Sequence, residues 1–532
     1  MKTYVFLMLT YVATTTEGAN ILITFEAPRR SHQIWISNVV EQLLERKHNV
    51  TMAIPFPDTL ARIKAKVRES IDEVTAEHEN YTSIALEGII TYHKHFDQRQ
   101  LIHSGLVGSL KTSHRYNYDI CDRVYRSKGF QRLWSYPDSF KFDLIIVDVS
   151  LGQCLYPLIK KFGGAQVVGF SPSSLNPYLS SVFGSDDQSA YIPSRHLRDV
   201  DLRFFFDRLL NYLTNKFEYV FKQNWELKSI ENLAEKHLQE EFNFEELQRS
   251  VSLLLVNYNP LLNRAQLLPP NIVPVAGLHL KRPEELPSVL AMILNKAFLG
   301  VVFVSLGTDI QPEILCHADT KTIANALGRL VQKTVIWKNR TINTDLPENI
   351  VVHAWMPQNE LLAHANTKLL ITTGGLLSIQ EAIVHGIPVI GLPITEDHRE
   401  NMKIITENKL GLQLDVTNLT EDLIYDSVTT VLNNPVFKDN MDTFSLKFKA
   451  QLENPVVKAV RWIEYLLRYN DTSFLSPSTR YVSSFSAKSF DVELFIFVVL
   501  LFAIFSIARA CLSCLKLIYR YRNRTQVKVK SQ

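Results

Sequence analysis

Cysteine is scarce and charge is nearly balanced: 532 residues hold five Cys, and 57 Lys and Arg against 54 Asp and Glu leave a net charge of +3. So few cysteines exclude a disulfide scaffold in a chain of this length. Cys121, Cys154 and Cys316 are odd in number, so at most one bridge can form among them and one thiol must remain. Cys511 and Cys514 form a CxxC beside a long apolar run, where acylation or inertness is expected rather than metal binding. The small net charge argues against a nucleic-acid surface, all the more because the last seventeen residues hold Lys516, Arg520, Arg522, Arg524, Lys528 and Lys530 and no acid. There is no HExxH, no cluster of His and Cys and no GxSxG, so neither a metal centre nor a serine hydrolase is expected. With 46% hydrophobic and 21% charged residues the chain is neither disordered nor fibrous, and at ~150 residues per domain it should hold two or three.

Both ends carry expected targeting signals. Met1 to Gly18 opens with Lys2, runs through the apolar stretch Tyr4 to Val12 and ends on small residues, the pattern of a secretory signal peptide, so the mature chain should begin near Ala19. Val492 to Leu515 is apolar except for Glu493 and Arg509 near its edges, which fits a single transmembrane helix. A buried core helix is disfavoured there because only a basic tail follows. That tail should be cytosolic and the bulk of the chain lumenal. The sequons at Asn80, Asn339, Asn418 and Asn470 agree with this orientation. Lys528 and Lys530 stand five and three residues from the end, like a dilysine address of the endoplasmic reticulum, so a single-pass protein of that membrane is expected.

Between the ends, short β-branched runs alternate with longer amphipathic segments, which implies parallel sheets covered by helices. In the first half Ile21 to Pro28, Val50 to Pro57, Phe142 to Asp148 and Ala165 to Pro172 read as strands, with a helix over Ile34 to His48 and a helical insertion over Arg198 to Gln248. In the second half Val301 to Gly307, Lys333 to Lys338, Asn349 to Trp355, Lys368 to Gly375 and Ile387 to Pro393 repeat the rhythm. His279 to Gly300 has the prolines and charges of a linker. Two doubly wound α/β domains facing across a cleft follow, and ligands of such sheets bind beyond the carboxyl ends of the strands. That rule selects Ser305 to Thr308, Trp355 to Gln358, Thr372 to Ser378 and Asp397 to Asn401 as one candidate site.

Gly374 and Gly375, between a strand and a helix, let the backbone approach a ligand, and the free N–H groups of the helix start favour an anion such as phosphate. Such a turn often serves only packing. Its neighbours strengthen the functional reading: Glu381 is suited to the two hydroxyls of a ribose, and Trp355 offers a flat face to a base.

The segment WMPQNELLAHANTKLLITTGGLLSIQEAIVHGIPVIGLPITEDHREN, Trp355 to Asn401, resembles the donor signature of the UDP-glycosyltransferases, in particular the invertebrate membrane-bound members. The likeness extends to VFVSLGT, to Pro269–Leu280, to Val457–Tyr469 and to both termini. It implies the GT-B type of fold, with two Rossmann-like domains plus the C-terminal transmembrane helix. The expected layout is a signal peptide over 1–18, an acceptor domain over 19–280, a linker over 281–300, a UDP-sugar domain over 301–450, C-terminal helices and a stem over 451–490, the membrane helix over 491–515 and the tail over 516–532. By the same resemblance Trp355 would stack on uracil with Gln358 beside it, and Glu381 would hold the ribose. Ser305, Gly307, Thr308, Thr373, Gly374, Gly375 and Ser378 would surround the diphosphate, and Asp397 and His398 would face the sugar. His32 would be the catalytic base and Asp148 its orienting acid.

Chemically the assignment is coherent. An inverting transfer needs a base for the acceptor's proton and a carboxylate to hold the imidazole. A helix start favours neutral imidazole. In this family the position of Thr373 is usually histidine and that of His398 usually glutamine, so weakened donor binding is expected, by about 1.5 to 3 kcal/mol for one lost charge-assisted bond. The expected activity is transfer of a hexose, glucose before glucuronic acid, from UDP-sugar to a hydroxyl of a small lipophilic acceptor, without metal or other cofactor. The competing reading is a degenerate member that binds lipophiles or partner subunits. The acceptor is not legible, and a homo-oligomer is left open.

Overall fold

A computed structural model describes residues 18–57, 80–96, 105–151, 153–197, 200–307, 317–339, 346–451, 453–469, 472–481, 484–487 and 489–529. The expected signal peptide, apart from Gly18, and Thr308, Cys316, Asn470 and Lys530 lie outside them.

Two wholly parallel sheets organise the body of the chain. The first has seven strands: β1 (Asn20–Thr24), β2 (Asn49–Ile54), β3 (Tyr81–Ala85), β4 (Leu144–Asp148), β5 (Gln166–Ser171), β6 (Val251–Val256) and β7 (Ile272–Pro274). The second has six: β8 (Val301–Ser305), β9 (Thr334–Lys338), β10 (Ile350–His353), β11 (Thr367–Thr372), β12 (Val389–Gly391) and β13 (Gly411–Gln413). Spatial orders are β3-β2-β1-β4-β5-β6-β7 and β10-β9-β8-β11-β12-β13. In each sheet the direction of winding reverses between two central neighbours, β1 and β4 in one and β8 and β11 in the other. At the ends of those pairs Thr24 stands opposite Val147 and Thr372 opposite Ser305, the second pair shifting register once, between Thr367 and Leu369. A doubly wound sheet opens a crevice at such a reversal.

The sequence dictates this centrality. LIIVD and VVFVS are buried at every position, as strands covered by helices on both faces must be. Helix α1 (Arg30–Glu45) buries Trp35, Ile36, Val39, Val40 and Leu43 against one face of the first sheet. It starts four residues before the expected Ile34 and stops three before His48, because Lys47 takes a left-handed φ of 65° that ends the turn. Helices α2 (Phe205–Phe221), α3 (Leu376–His385) and α4 (Glu396–Glu407) surround the crevices, and the expected helical insertion is helical, with a π-turn at Lys222–Glu226. The linker stretch is not all extended: Ser288–Lys296 is a helix whose Leu294 enters the core of the second sheet. Helix α5 (Pro455–Arg468) returns to the first sheet, where Val460 and Ile463 join α1 in one cluster. Cys121 and Cys154, both buried, are bonded as a disulfide that ties Leu106–Arg126 to the turn after β4.

Residues Pro477–Gln532 form a separate unit. Its main element is helix α6 (Phe490–Val529), of which Phe490–Ile518 is long and apolar enough to cross a membrane.

Candidate active site

At the reversal of the first sheet, β1 leads through Phe25-Glu26-Ala27-Pro28 into α1. His32 therefore sits in the first turn of the helix rather than just before it, 4% exposed. Asp148 ends β4, also buried. The reversal brings them together: His32 Nδ1 is 2.8 Å from Asp148 Oδ2. Asp148 Oδ1 accepts the Ser150 N–H at 3.0 Å and the Ser150 hydroxyl, so both carboxylate oxygens are fixed. With a proton shared between Nδ1 and Asp148, Nε2 is the nitrogen left to accept another.

Behind this pair lies Glu26, which the motifs did not single out. It is 1% exposed and accepts the Gln153 N–H at 2.7 Å. Burial, reinforced by the charge of Asp148, pushes its carboxyl up to about 8. Gln153 holds a left-handed φ of 58°, so Glu26 anchors a strained turn in the same loop that carries Asp148 and Ser150. A carboxylate interrupting the apolar run ILITFEAP was the available signal.

At the reversal of the second sheet, β8 ends on buried Ser305 and passes Gly307 at φ 101°; β11 ends on Thr372, followed by buried Thr373, Gly374 at φ 91° and Gly375, which caps α3. A side chain on Gly374 would place Cβ 2.8 Å from Met402 Cγ, so the close packing of α4 on this turn requires glycine. Cβ on Gly375 would meet only His398 Nε2, at 4.0 Å, so that side of the turn opens toward the crevice. The unpaired N–H groups of the first turn of α3 are thus available to an anion. Gln358 donates to Ser378 Oγ at 2.9 Å and to Glu381 Oε2 at 2.6 Å, gathering three of the expected residues. Burial raises the Glu381 carboxyl to about 7 against the opposing Gln358 bond. Trp355 is 45% exposed, with Lys338 Nζ 5.2 Å from its ring centre.

The acidic loop meets this turn directly. Asn401 Nδ2 donates to Gly374 O at 3.0 Å, which fixes the start of α4 against the turn before α3. Asp397 and His398 occupy the first turn of α4, whose cap is the Thr395 hydroxyl. Burial holds His398 down to about 4, and so neutral. Burial would raise Asp397, but Arg195, Arg29 and His398 outweigh it and hold the carboxyl below its usual range.

Arg195 and His196 were missed by sequence reasoning. Arg195 bridges Asp397 Oδ1 and Glu218 Oε1, each at 3.3 Å, while His196 bridges Glu396 at 3.0 Å and Glu218 at 3.4 Å. Lys222 completes the cluster, 2.7 Å from Glu218. No local motif announces it, since its partners come from opposite halves of the chain.

One cleft of about 1360 Å³ is lined from both halves, by His32, Ser305, Trp355, Thr373, Glu381 and Asp397 among others. Asp148 lies behind His32 and Gly374 behind the turn, neither on the wall. Among the described residues no group of three His, Cys, Asp or Glu could hold a metal ion.

The chain and its fold have known counterparts. A family model described as UDP-glucoronosyl and UDP-glucosyl transferase matches residues 21–525. UDP-glucosyltransferase 2 of Dactylopius coccus is 27% identical over 499 residues, covering 92% of each chain. UDP-glucuronosyltransferase 1A9 of Mus musculus is 26% identical over 489 residues, covering 90% of this chain and 89% of its own. Among solved structures, the calicheamicin glycosyltransferase CalG4 aligns with a TM-score of 0.55 at 15% identity, over 85% of this chain and all of its own. Spinosyn forosaminyltransferase SpnP does so with 0.53 at 17%. The fold is of the GT-B type.

Proposed function

The chain belongs to the family of UDP-glucuronosyl and UDP-glucosyl transferases, enzymes that take their sugar from a UDP-sugar, and from that premise we propose that it moves a neutral hexose, glucose first, onto a hydroxyl of a small lipophilic acceptor. One observation carries the mechanism: the buried His32–Asp148 pair, at 2.8 Å, opens on the same cleft as the free helix start at Gly375. Held through Nδ1 by Asp148, His32 takes the acceptor's proton on Nε2 as the hydroxyl attacks the anomeric carbon. Asp148 stabilises the imidazolium that forms. Inversion follows from a single displacement, since no nucleophile of the protein intervenes. Charge grows on the departing UDP, and the N–H groups at the start of α3 with the hydroxyls of Ser305, Thr373 and Ser378 meet it. Trp355 stacks on the base, with Gln358 beside it, and Glu381 accepts the ribose hydroxyls.

The sugar end supports a neutral hexose. Arg195 and His196 are committed to Glu218, Glu396 and Asp397, so neither is free for a uronate, and Arg29 is the guanidinium of the cleft wall beside Asp397 that a uronate would have to use. The two halves then divide the labour, with acceptor in the first and donor in the second. We place the body in the lumen of the endoplasmic reticulum, a reading supported by the Cys121–Cys154 bridge, which belongs to an oxidising compartment. Its test is protease treatment of sealed microsomes, in which the body should survive; digestion there overturns the orientation.

His32→Ala tests the chemistry. Turnover of UDP-glucose with a phenolic acceptor should vanish while UDP binding by calorimetry stays at the wild-type level. A variant keeping more than a few per cent of turnover would remove His32 as base.

A further inference from the structure

One carboxylate of the cleft wall has no part in the transfer chemistry. Glu226 ends the π-turn Lys222–Glu226, is 5% exposed and lines the cleft. Single π-turns inside α-helices are rare and gather at functional sites. Glu226 Oε1 accepts from Asn117 Nδ2, on the helix Leu106–Arg126, at 2.5 Å. Among the described residues Oε2 has no partner, and no cation pairs with either oxygen. Lys222, one turn earlier, is held by Glu218 at 2.7 Å and lies over the Tyr178 ring, 4.5 Å from its centre. A buried carboxylate with a single neutral bond is costly unless a cation completes it. The first half also gives the wall Phe96, Leu110 and Leu179, all buried, so a ring has apolar surface to lie on.

We propose that Glu226 receives a protonated amine carried by the acceptor away from its reacting hydroxyl, so that the preferred acceptors are phenols with a short aminoalkyl arm. This rests on the acceptor assignment above, in which His32 takes the proton of the hydroxyl. The first half of the chain then reads three features of one molecule: the hydroxyl at His32, the ring on the apolar wall and the amine at Glu226. An ammonium brings three donors and a full charge, so it both bonds Oε2 and completes the ion pair. A second hydroxyl would supply a bond and leave the charge uncompensated. Lys222 does not repel the incoming cation as a lone charge would, because Glu218 neutralises it. An acceptor bearing a carboxylate meets the opposite sign and is disfavoured.

Tyramine, tyrosol and 4-propylphenol share one skeleton and end in ammonium, hydroxyl and methyl, so they isolate the contact. Glu226→Gln keeps an oxygen for Asn117 Nδ2 and removes only the charge. Binding of each phenol to the detergent-solubilised full chain, saturated with UDP, is measured by calorimetry at neutral pH. The ratio of tyramine to 4-propylphenol affinity should fall by ~10- to 100-fold on Glu226→Gln, the range of one charge-assisted bond, and the tyrosol ratio by less. 4-Hydroxybenzylamine and 4-(3-aminopropyl)phenol, each beside its methyl isostere, extend the comparison to a shorter and a longer arm, and the fall should peak at one length. Ratios that Glu226→Gln leaves unchanged at all three lengths overturn the proposal. So do equal falls for tyramine and tyrosol, which would assign the contact to a neutral hydrogen bond. Binding is read without turnover, and the amine preference should persist in His32→Ala, so failure of the catalytic reading and failure of this contact are told apart.

Discussion

Replacing Glu26 by glutamine keeps the oxygen that accepts the Gln153 N–H at 2.7 Å and removes only the capacity to ionise beside Asp148. In the folded protein burial and the Asp148 charge raise this carboxyl from 4.5 to about 8. The folded state therefore keeps a proton that the unfolded chain releases. The stability this group permits is fully present below pH ~4.5 and is lost as pH rises through the window up to about 8. At 1.36 kcal/mol per unit, the loss reaches about 4 kcal/mol at pH ~7.5, and about 3 kcal/mol of it falls between pH ~5 and ~7.5. Glutamine has no such slope. With an unfolding entropy of ~2 cal/mol/K per residue, a body running to Ser476 should turn that difference into about 3 °C. Scanning fluorimetry of the detergent-solubilised full chain reads it: the Gln variant should gain on wild type as pH rises, by roughly that amount. Melting curves that run parallel over the window would refute the claim that Glu26 is held protonated next to the catalytic pair.

Asp148→Asn presents an amide to His32 Nδ1, which forces the imidazole proton to Nε2 and removes the base; turnover should fall by about 10⁴-fold with UDP affinity unchanged, and an Asn variant as fast as wild type would remove Asp148 from the mechanism. Thr373→His should tighten UDP-sugar binding by up to ~10- to 100-fold, seen in the donor KM and not in the acceptor's, because the residue lies on the second sheet's turn. Unchanged affinity by calorimetry would mean that the pocket is built around threonine.

Much of this site was legible because its frame is local. ILIT, LIIVD, VVFVS and LLITT are apolar runs that read as buried strands wherever they occur, and the strand-end rule then points at Ser305 and Thr373. His32 and Asp148 came from the family resemblance rather than from that rule. Strands β3, β6, β7 and β13 were not read: VSLLLV cannot be told from a buried helix segment by periodicity, YTSIA fully buries only Ile84, and IVP and GLQ are too short to have a period. The helix Ser288–Lys296 inside the expected linker was not read, because proline and charge crowd its N-terminal flank. Glu26 and Gln153 meet across 127 positions and Arg195 and Asp397 across 202, and no pattern within a window can report pairings of that span.

On the proposed reading, the Arg195–Asp397 contact makes both halves set the sugar end. An ionised Asp397 is the stronger acceptor for sugar hydroxyls, yet burial opposes its charge, and its side chain is only 34% exposed. Arg195 contacts Oδ1 at 3.3 Å, which leaves Oδ2 for a hydroxyl. The first half of the chain thus keeps charged a carboxylate that the second half uses. A carboxyl held below its usual range contributes binding at neutral pH and loses it as pH falls through its own titration. In wild type that loss should come only in strong acid. Arg195→Gln removes the largest opposing influence, leaving Arg29 and His398. Its UDP-glucose affinity should therefore begin to fall at a higher pH than in wild type, while UDP alone, which does not reach Asp397, should bind both proteins alike across the range. Calorimetry with the two ligands from pH ~7.5 to ~4.5 separates the cases. Coincident UDP-glucose curves would show that Arg195 holds the two halves together without governing Asp397.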